Sequence, residues 1–470
     1  MKRYIILTIV FSIVNIYGQL GSSGVSDAKN MGLAKTHNAI SRGIHAIGIN
    51  PANLIYGESN STEFSAVLPI PQISVRTGTD FMTLEEVNYF FGGVNGKARV
   101  LTEDDKTRLN NLFEDGGKFF LDNSFELFSF NYTSKPKIGS FAFSIKDYVG
   151  GYFQVPQAVV SIALTGNPVG KVYHFNDTDA KFWWLRSYSL TYARELSEIK
   201  QKIFDKIGAG ISLKLMHGYA YATTEKVNTN LTFDQKNAMS GYADLLAYSS
   251  FSPDLGVKYD FEDSKSDPNA SPFPSPAGTG FGLDIGFTAQ LDKRWNFALS
   301  ITDIGSINWS EKTAKFYANN DFYIDDLSSE EQRDTLESKF KGTSEKTGSF
   351  STGLPTALRM GVSYLFTEKN SDVPGVLILA FDYNQGFNDL PGNSTKPRIS
   401  IGADWKPMNW IPYIRTGFSF GGLMGFGWGA GLGFDMKVVE INISTSDMQT
   451  YLAPNSSKHL TISFGSKWKF

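Results

Sequence analysis

The sequence predicts an all-β fold, a transmembrane antiparallel β-barrel with an N-terminal segment lodged in its lumen. Three observations predict it. Segments of about ten residues with alternating apolar and polar side chains recur along the chain, which is the length and period of a bilayer-crossing strand. Beyond the N-terminus no run of about 18 apolar residues occurs, so no helix is expected to cross a membrane. The chain ends on an aromatic residue, Phe470.

Lys2 and Arg3 are followed by an apolar run from Tyr4 to Ile16, and Gly18 precedes Gln19. A basic start, an apolar stretch too short to span a bilayer and a small residue at its end make 1–18 a cleaved signal peptide for export across the inner membrane; an uncleaved anchor is the alternative. The chain has no Cys. That excludes lipoprotein acylation, disulfides, thiolate catalysis and cysteine metal sites. A formal net charge of −3 without a basic stripe gives no footing for nucleic acid.

Residues 19–58 are rich in small side chains. Asn30-Met31-Gly32-Leu33-Ala34 stands near their start and Asn50-Pro51-Ala52-Asn53-Leu54 near their end. Asn-Pro starts a turn, and small residues suit close packing inside a lumen. This segment reads as a hatch or plug; a strap on the periplasmic side, outside the barrel, is the alternative.

Residues 59–470 make the barrel. At the C-terminus Leu460, Ile462, Phe464, Trp468 and Phe470 fall on one face, and Thr461, Ser463, Gly465, Lys467 and Lys469 on the other. The segment from Phe281 to Leu291 turns Ile285 to lipid and Asp284 to the lumen, and one from Trp295 to Thr302 alternates likewise. Further segments begin near Phe64, Phe125, Ile138, Gln157, Leu185, Ile207, Leu358, Leu377, Arg398, Ile411, Phe426 and Val439, with a weaker one near Val169. The pattern therefore gives about sixteen strands, and the number is even if both ends are periplasmic. Counted back from a periplasmic C-terminus, the short connections at 292–294, 407–409 and 437–438 are periplasmic. The long ones near 76–124, 222–280, 306–353, 385–396 and 447–457 are external, the usual asymmetry of outer-membrane barrels. Trp295, Trp405, Trp410 and Trp468 then mark the periplasmic rim, and Trp183, Trp184 and Trp428 the outer rim.

The polar faces place Asp284, Arg359, Asp382, Arg398, Asp404 and Arg415 in the lumen. Asp382 and Arg398, on consecutive strands, are an expected ion pair near the outer mouth. Gly425, Gly427, Gly429, Gly431 and Gly433 share one strand face. A wall without side chains there serves barrel curvature or close packing against the plug, or leaves room for a passing ligand.

The motif at 30–54 resembles the N-terminal signature of FadL/TodX-type outer-membrane transporters of hydrophobic compounds, which runs Met-Gly-Gly-Ala, an acidic Ala-Asp-Asp step, then Asn-Pro-Ala-Gly-Leu. Met31, Gly32, Ala34, Asn50, Pro51, Ala52 and Leu54 match it; Ser41-Arg42-Gly43 replace the acidic step, and Asn53 replaces the last glycine. The resemblance implies a barrel of 14 strands with this segment as an internal hatch. Relatives with the same signature include the barrel that shuttles cargo in type IX secretion and Bacteroidetes barrels without an assigned function, and the stretch from Asp303 to Trp309 is most similar to the latter. Phe470 resembles the C-terminal aromatic by which the barrel-assembly machinery recognises its clients.

Catalytic chemistry finds little support. Gly417-Phe418-Ser419-Phe420-Gly421 matches G-x-S-x-G, but a nucleophile elbow needs a strand, a turn and a helix, and this match lies inside an alternating strand. His37, His45, His174, His217 and His459 have no carboxylate at motif spacing. Asp260, Glu262, Asp263 and Asp267 form a solvated acidic cluster in an external loop, with calcium or lipopolysaccharide-bridging cations as the alternative. No enzyme activity, metal or cofactor is expected. Two functions remain: a passive channel for a small hydrophobic compound gated by the hatch, and a protein-interaction barrel of secretion or envelope organisation. The expected location is the outer membrane of a Gram-negative bacterium. Outer-membrane lipid, lipopolysaccharide and the assembly machinery are the expected partners, and secretion-system proteins belong to the second function.

Overall fold

The computed structural model describes residues 21–196, 203–236, 238–257, 271–326, 329–332, 334, 343–369 and 371–470. The expected signal peptide and the cluster Asp260, Glu262, Asp263 and Asp267 lie outside the described residues.

The wall begins with β1 (Ser61–Ala66) and β2 (Gln72–Thr79), both of which pair with β3 (Gly117–Thr133) on one side. They form one strand interrupted by 67–71, where five residues bulge opposite the single residue Leu127. Then come β4 (Ser140–Val155), β6 (Asp179–Glu195), β7 (Lys206–Val227), β10 (Gly278–Leu291), β11 (Trp295–Trp309), β15 (Ala357–Thr367), β16 (Val376–Gly386), β17 (Arg398–Lys406), β18 (Tyr413–Gly421), β19 (Gly425–Asp435), β20 (Val439–Thr445) and β21 (His459–Lys469). Every neighbour is antiparallel, and β21 returns to β1 and β2 through Phe64↔Trp468 and Ile73↔Phe464. The result is a closed barrel of 14 strands.

Two of the expected strands are not wall strands. The segment near Gln157 is the helix α4 (Gln157–Thr165), with Pro156 as its N-cap residue. The one near Val169 leads only to β5 (Val172–His174), which pairs with another external strand. Both stretches are apolar enough to read as strands, and neither supplies the long alternation that a wall needs. The first external connection is also shorter than 76–124, because β2 runs to Thr79 and β3 starts at Gly117.

Period-two patterning sets which way each residue faces. Ile285 is 38% exposed, while its neighbour Asp284 is fully buried. Leu460 and Ile462 are exposed, and Thr461 and Ser463, which alternate with them, are buried. Polar residues lie inside and apolar ones outside, the inverse of a water-soluble domain and the arrangement of a barrel standing in lipid. Trp295 and Trp410 are exposed at one rim. Trp183 departs from the expected girdle: it is 2% exposed and packs inward with Tyr148 and Trp309. It keeps the inward phase of Leu185, Ser187 and Ser189, and the register shift beside it leaves the extra residue, Tyr219, on β7.

Beyond the wall stands an external layer. The strands β8 (Asn230–Phe233), β9 (Met239–Phe251), β12 (Ala314–Ile324) and β13 (Thr343–Lys346) pair in series, and β14 (Phe350–Gly353) pairs with the outer end of β11. Helices α2 (Leu84–Phe91) and α3 (Glu103–Leu112) close the first connection over Met82, Phe90, Leu109 and Phe113. The short helices α1 (Ala28–Met31), in the N-terminal segment, and α5 (Met448–Leu452), in the last external connection, complete the set used below.

Candidate functional site

The N-terminal segment lies inside the barrel. At the outer mouth Ser23 N–H donates to Gly392 O at 3.0 Å, and Ser22 N–H donates to Asn393 Oδ1 at 2.9 Å, both in the connection after β16. The chain then passes α1, where the Asp27 side chain accepts from Asn30 N–H, and runs across β15–β19. It finishes in a 3-10 helix, Pro51–Tyr56, against β6, β7 and β10, and leaves towards β1. The motif residues Met31, Ala34, Asn50, Ala52 and Leu54 are at most 1% exposed, and Gly32 and Pro51 are buried with them.

Local chemistry explains this path. The Asn50 side chain accepts from Ala52 N–H at 3.1 Å, and Pro51 supplies the fixed φ of a first helical position without a wasted donor. Asn50 Nδ2 also donates to Phe287 O on β10 at 3.1 Å. Asn53, where the resembled signature has glycine, donates to Asn38 O at 2.7 Å and to Ser41 Oγ at 3.0 Å, tying the two halves of the plug together.

Glycines on the wall make the socket. A Cβ on Gly210 would stand 2.5 Å from Ala52 N, on Gly361 3.0 Å from Ala39 N, on Gly417 2.5 Å from Leu33 O and on Gly429 2.8 Å from Met31 O. Gly431 faces Gly32 at 3.2 Å by the same measure. Gly427, above them, faces Ser419 and Ser446 instead. Of the two readings of the glycine stripe, close packing against the plug is the one seen at Gly429 and Gly431. Backbone meets backbone at these positions, which only glycine permits.

Charged side chains bolt the plug through its backbone. Asp382 accepts from His37 N–H at 2.7 Å and Asn38 N–H at 2.8 Å. Arg359 Nη2 donates to Gly21 O at 2.6 Å, and Arg398 donates to Ala34 O at 3.1 Å and Ser22 O at 3.3 Å. The expected Asp382–Arg398 ion pair is therefore not made. Asp382 stands opposite Ser400 and Arg398 opposite Asn384, and each reaches inward to the plug rather than along the wall. Asp404 and Arg415 do pair, at 3.0 Å, within a longer network. Lys29 of the plug reaches Asp404 at 3.5 Å, Arg415 reaches Glu440 at 3.7 Å, Glu440 meets Lys467 at 3.4 Å and Lys467 meets Glu63 at 3.0 Å. Glu63 then accepts Ile44 N–H, back in the plug, at 3.1 Å. Asp284 shares Lys214 with Asp303, at 2.7 and 2.6 Å.

Sequence reasoning missed Lys214, Asp303, Glu63 and Arg76. Lys214 was recoverable, since it alternates on the polar face of β7. Asp303 was not, because it sits at φ 59° where the pairing of β10 with β11 shifts register, which turns it inward out of phase. The histidines also gain neighbours that no spacing shows: His45 lies 3.1 Å from Asp27, and His459 lies 3.0 Å from Asp447.

Above the plug the lining changes character. Tyr148, Trp183, Leu185, Met216, Tyr221, Ile307 and Trp309 form a buried apolar cluster at the outer ends of β4, β6, β7 and β11. Tyr221 stacks on Trp309 at 5.1 Å between centroids, and Trp309 Nε1 donates to Thr352 at 2.8 Å. Leu390, from the connection that pins the N-terminal end of the plug, packs against this cluster.

No curated protein matches the chain. Solved structures similar to it include a mutant of the monoaromatic hydrocarbon channel TodX, at 10% identity and TM-score 0.48 over 95% of this chain and 99% of that one. The toluene transporter TodX of P. putida is similar at 10% identity and TM-score 0.45, over 95% and 97%. A FadL homologue of Pseudomonas aeruginosa is similar at 12% identity and TM-score 0.41, over 96% and 97%. A family model matches residues 58–446, which begins where the plug ends and covers the wall as far as the end of β20. The chain belongs to the family described as "Family of unknown function (DUF5723)".

Proposed function

We propose that this protein is an outer-membrane channel for passive uptake of a small hydrophobic compound, with its internal N-terminal segment as the gate. One observation carries the reading: a cluster of buried aromatic and aliphatic side chains, not a polar lining, fills the barrel interior outside the plug. A water-filled pore keeps a polar lining; Tyr148, Trp183, Tyr221 and Trp309 instead make the interior apolar at the outer mouth. Such a lining suits a solute that binds by shape and ring contact, and needs no catalytic group. Below it, the plug is held by hydrogen bonds and ion pairs that can be exchanged for water, and by apolar contacts of Leu33 and Ile40 with Ala380 and of Ile44, Ile47, Leu54 and Ile55 with Ala142 and Ala193.

The test is uptake of a labelled monoaromatic hydrocarbon and of a labelled fatty acid by cells with and without the protein. Faster uptake of either that persists in energy-depleted cells supports the reading. Equal uptake of both in the two strains defeats it. A second reading, a barrel that docks secretion or envelope proteins, is favoured by the external layer, whose cluster around Leu231, Phe233, Ala318 and Phe322 gives it a core of its own. Deletion of external strands that abolishes a specific partner's recovery while leaving uptake intact would favour it.

A further inference from the structure

Three charged side chains from three neighbouring strands converge on the inner face of the wall: Lys214 of β7, Asp284 of β10 and Asp303 of β11. Lys214 stands opposite Gly282, and its side chain crosses that residue's bare inner face; a Cβ on Gly282 would lie 3.4 Å from Lys214 Cδ. The lysine so reaches two carboxylates at once, Asp284 Oδ1 at 2.7 Å and Asp303 Oδ1 at 2.6 Å. All three side chains are at most 2% exposed.

Two details go beyond an ion triad. Asp284 Oδ1 also accepts Asp303 N–H at 2.8 Å, while the buried Asp284 Oδ2 has no hydrogen-bond partner among the described residues. Asp303 stands at φ 59°, a conformation that costs a residue bearing a Cβ, and Thr356 Oγ1 holds it there by donating to Asp303 O at 2.8 Å. Two carboxylates on one lysine, out of water, are a poor source of stability. They are, however, the set that amide formation needs: an amine, a carboxyl carbon whose oxygen already has a donor, and a second carboxylate to carry protons. A nitrogen this close to a carboxylate oxygen stands about 3.5 Å from its carbon, a near-attack distance.

We propose that Lys214 and Asp284 condense spontaneously into an isopeptide bond that fastens β7 to β10. The Nζ–Cγ bond forms and the Cγ–Oδ2 bond breaks. The ammonium gives up two of its three protons, Asp303 relays them, and they leave with Oδ2 as one water. Asp303 ends as the carboxylate it began as, and no other reactant is consumed. Its N–H steadies Oδ1 while charge builds there, and the dry surroundings oppose hydrolysis of the product. The bond lies within the wall and does not depend on the hatch opening, so the channel reading survives its failure.

Trypsin cuts at Lys293 and Arg294, between the two aspartates, so peptide mapping tells which of them is joined to Lys214. Protein from the folded, heat-modifiable band should yield the Lys214 and Asp284 peptides as one species, lighter than their sum by a single water and uncut after Lys214. Chain collected unfolded from inclusion bodies should yield them separately, and refolding into detergent should join them. Lys214→Met should leave the Asp284 peptide free. Asp303→Asn keeps the shape and removes the proton carrier; it should slow joining about a hundredfold while the protein stays heat-modifiable. Separate peptides from the folded natural protein, a junction on Asp303 instead of Asp284, or joining at an unchanged rate in Asp303→Asn would each overturn the proposal.

Discussion

Phe90 in the external layer sits among Met82, Leu109 and Phe113, whereas His37 and Asn38 in the plug sit on a carboxylate. Both regions are folded appendages of one barrel wall, and they are held by different forces. The external layer loses apolar contact if it opens, about 25 cal/mol for each Å² exposed. The plug loses hydrogen bonds that water can replace, for a net of about 1 kcal/mol each, together with the apolar contacts of Leu33, Ile40, Ile44, Leu54 and Ile55. A piece held in part by such bonds is tightly fixed at rest by contacts that water can take over on release. The difference teaches where motion belongs in this molecule.

The strongest way to break that comparison is to fill the socket. Gly210→Val with Gly429→Val would drive Cβ atoms into plug backbone at Ala52 and Met31, with no flexible side chain to yield. The expected cost exceeds the roughly 1–3 kcal/mol of ordinary overpacking. The plug should become sensitive to protease in outer-membrane fragments while the wall stays heat-modifiable. A protected plug in this variant would mean that the socket is slack.

Next in size is Phe90→Ala, a core truncation expected to cost about 3 kcal/mol. It should expose 80–116 to proteolysis from outside the cell and leave the plug protected. Joint loss of both regions would show that they are one cooperative unit. Asp382→Ala should cost about 2 kcal/mol by stranding two plug N–H groups. Asp382→Asn, which keeps an acceptor, should cost less; the comparison reads on hydrogen exchange at His37 and Asn38, and equal exchange in the two variants would remove the bolt.

The smallest expected effect is on α2. Thr83 and Glu86 form a capping box, and Arg108 lies 3.5 Å from Glu86. Partial burial pushes the Glu86 carboxyl up, and the Thr83 N–H and hydroxyl with Arg108 outweigh it, so it titrates below the usual carboxylate range. A depressed carboxyl contributes its stability in full above an unfolded value of about 4.3 and loses it as pH falls through the folded one. Pepsin cleavage within 80–116 should rise as pH drops below about 4, and Glu86→Gln should flatten that rise. The plug should not follow.

What was legible in the sequence is what period two can carry. The faces of Asp284, Ile285, Arg359 and Asp404 follow from alternation alone, and so does their burial or exposure. Around Gln157 alternation is absent and only apolar content remains, which does not separate a strand from the helix that forms there; Pro156 was the available signal. The partner of Asp382 was beyond reach, because it is backbone 345 positions away, and backbone carries no sequence mark. Asp303 was hidden for a related reason: it lies beside a register shift, where the phase that assigns faces is lost. Trp183 was legible, since it shares the inward positions of Leu185, Ser187 and Ser189.

The central claim is that the plug closes the lumen by polar bolts to its backbone. Single-channel conductance in planar bilayers tests it most directly, comparing the intact protein with an Arg359→Ala, Asp382→Ala and Arg398→Ala triple variant. The intact protein should be silent, and the variant should open in resolved steps while remaining heat-modifiable. A folded variant that stays silent, or an intact protein that conducts as well as the variant, would contradict the account.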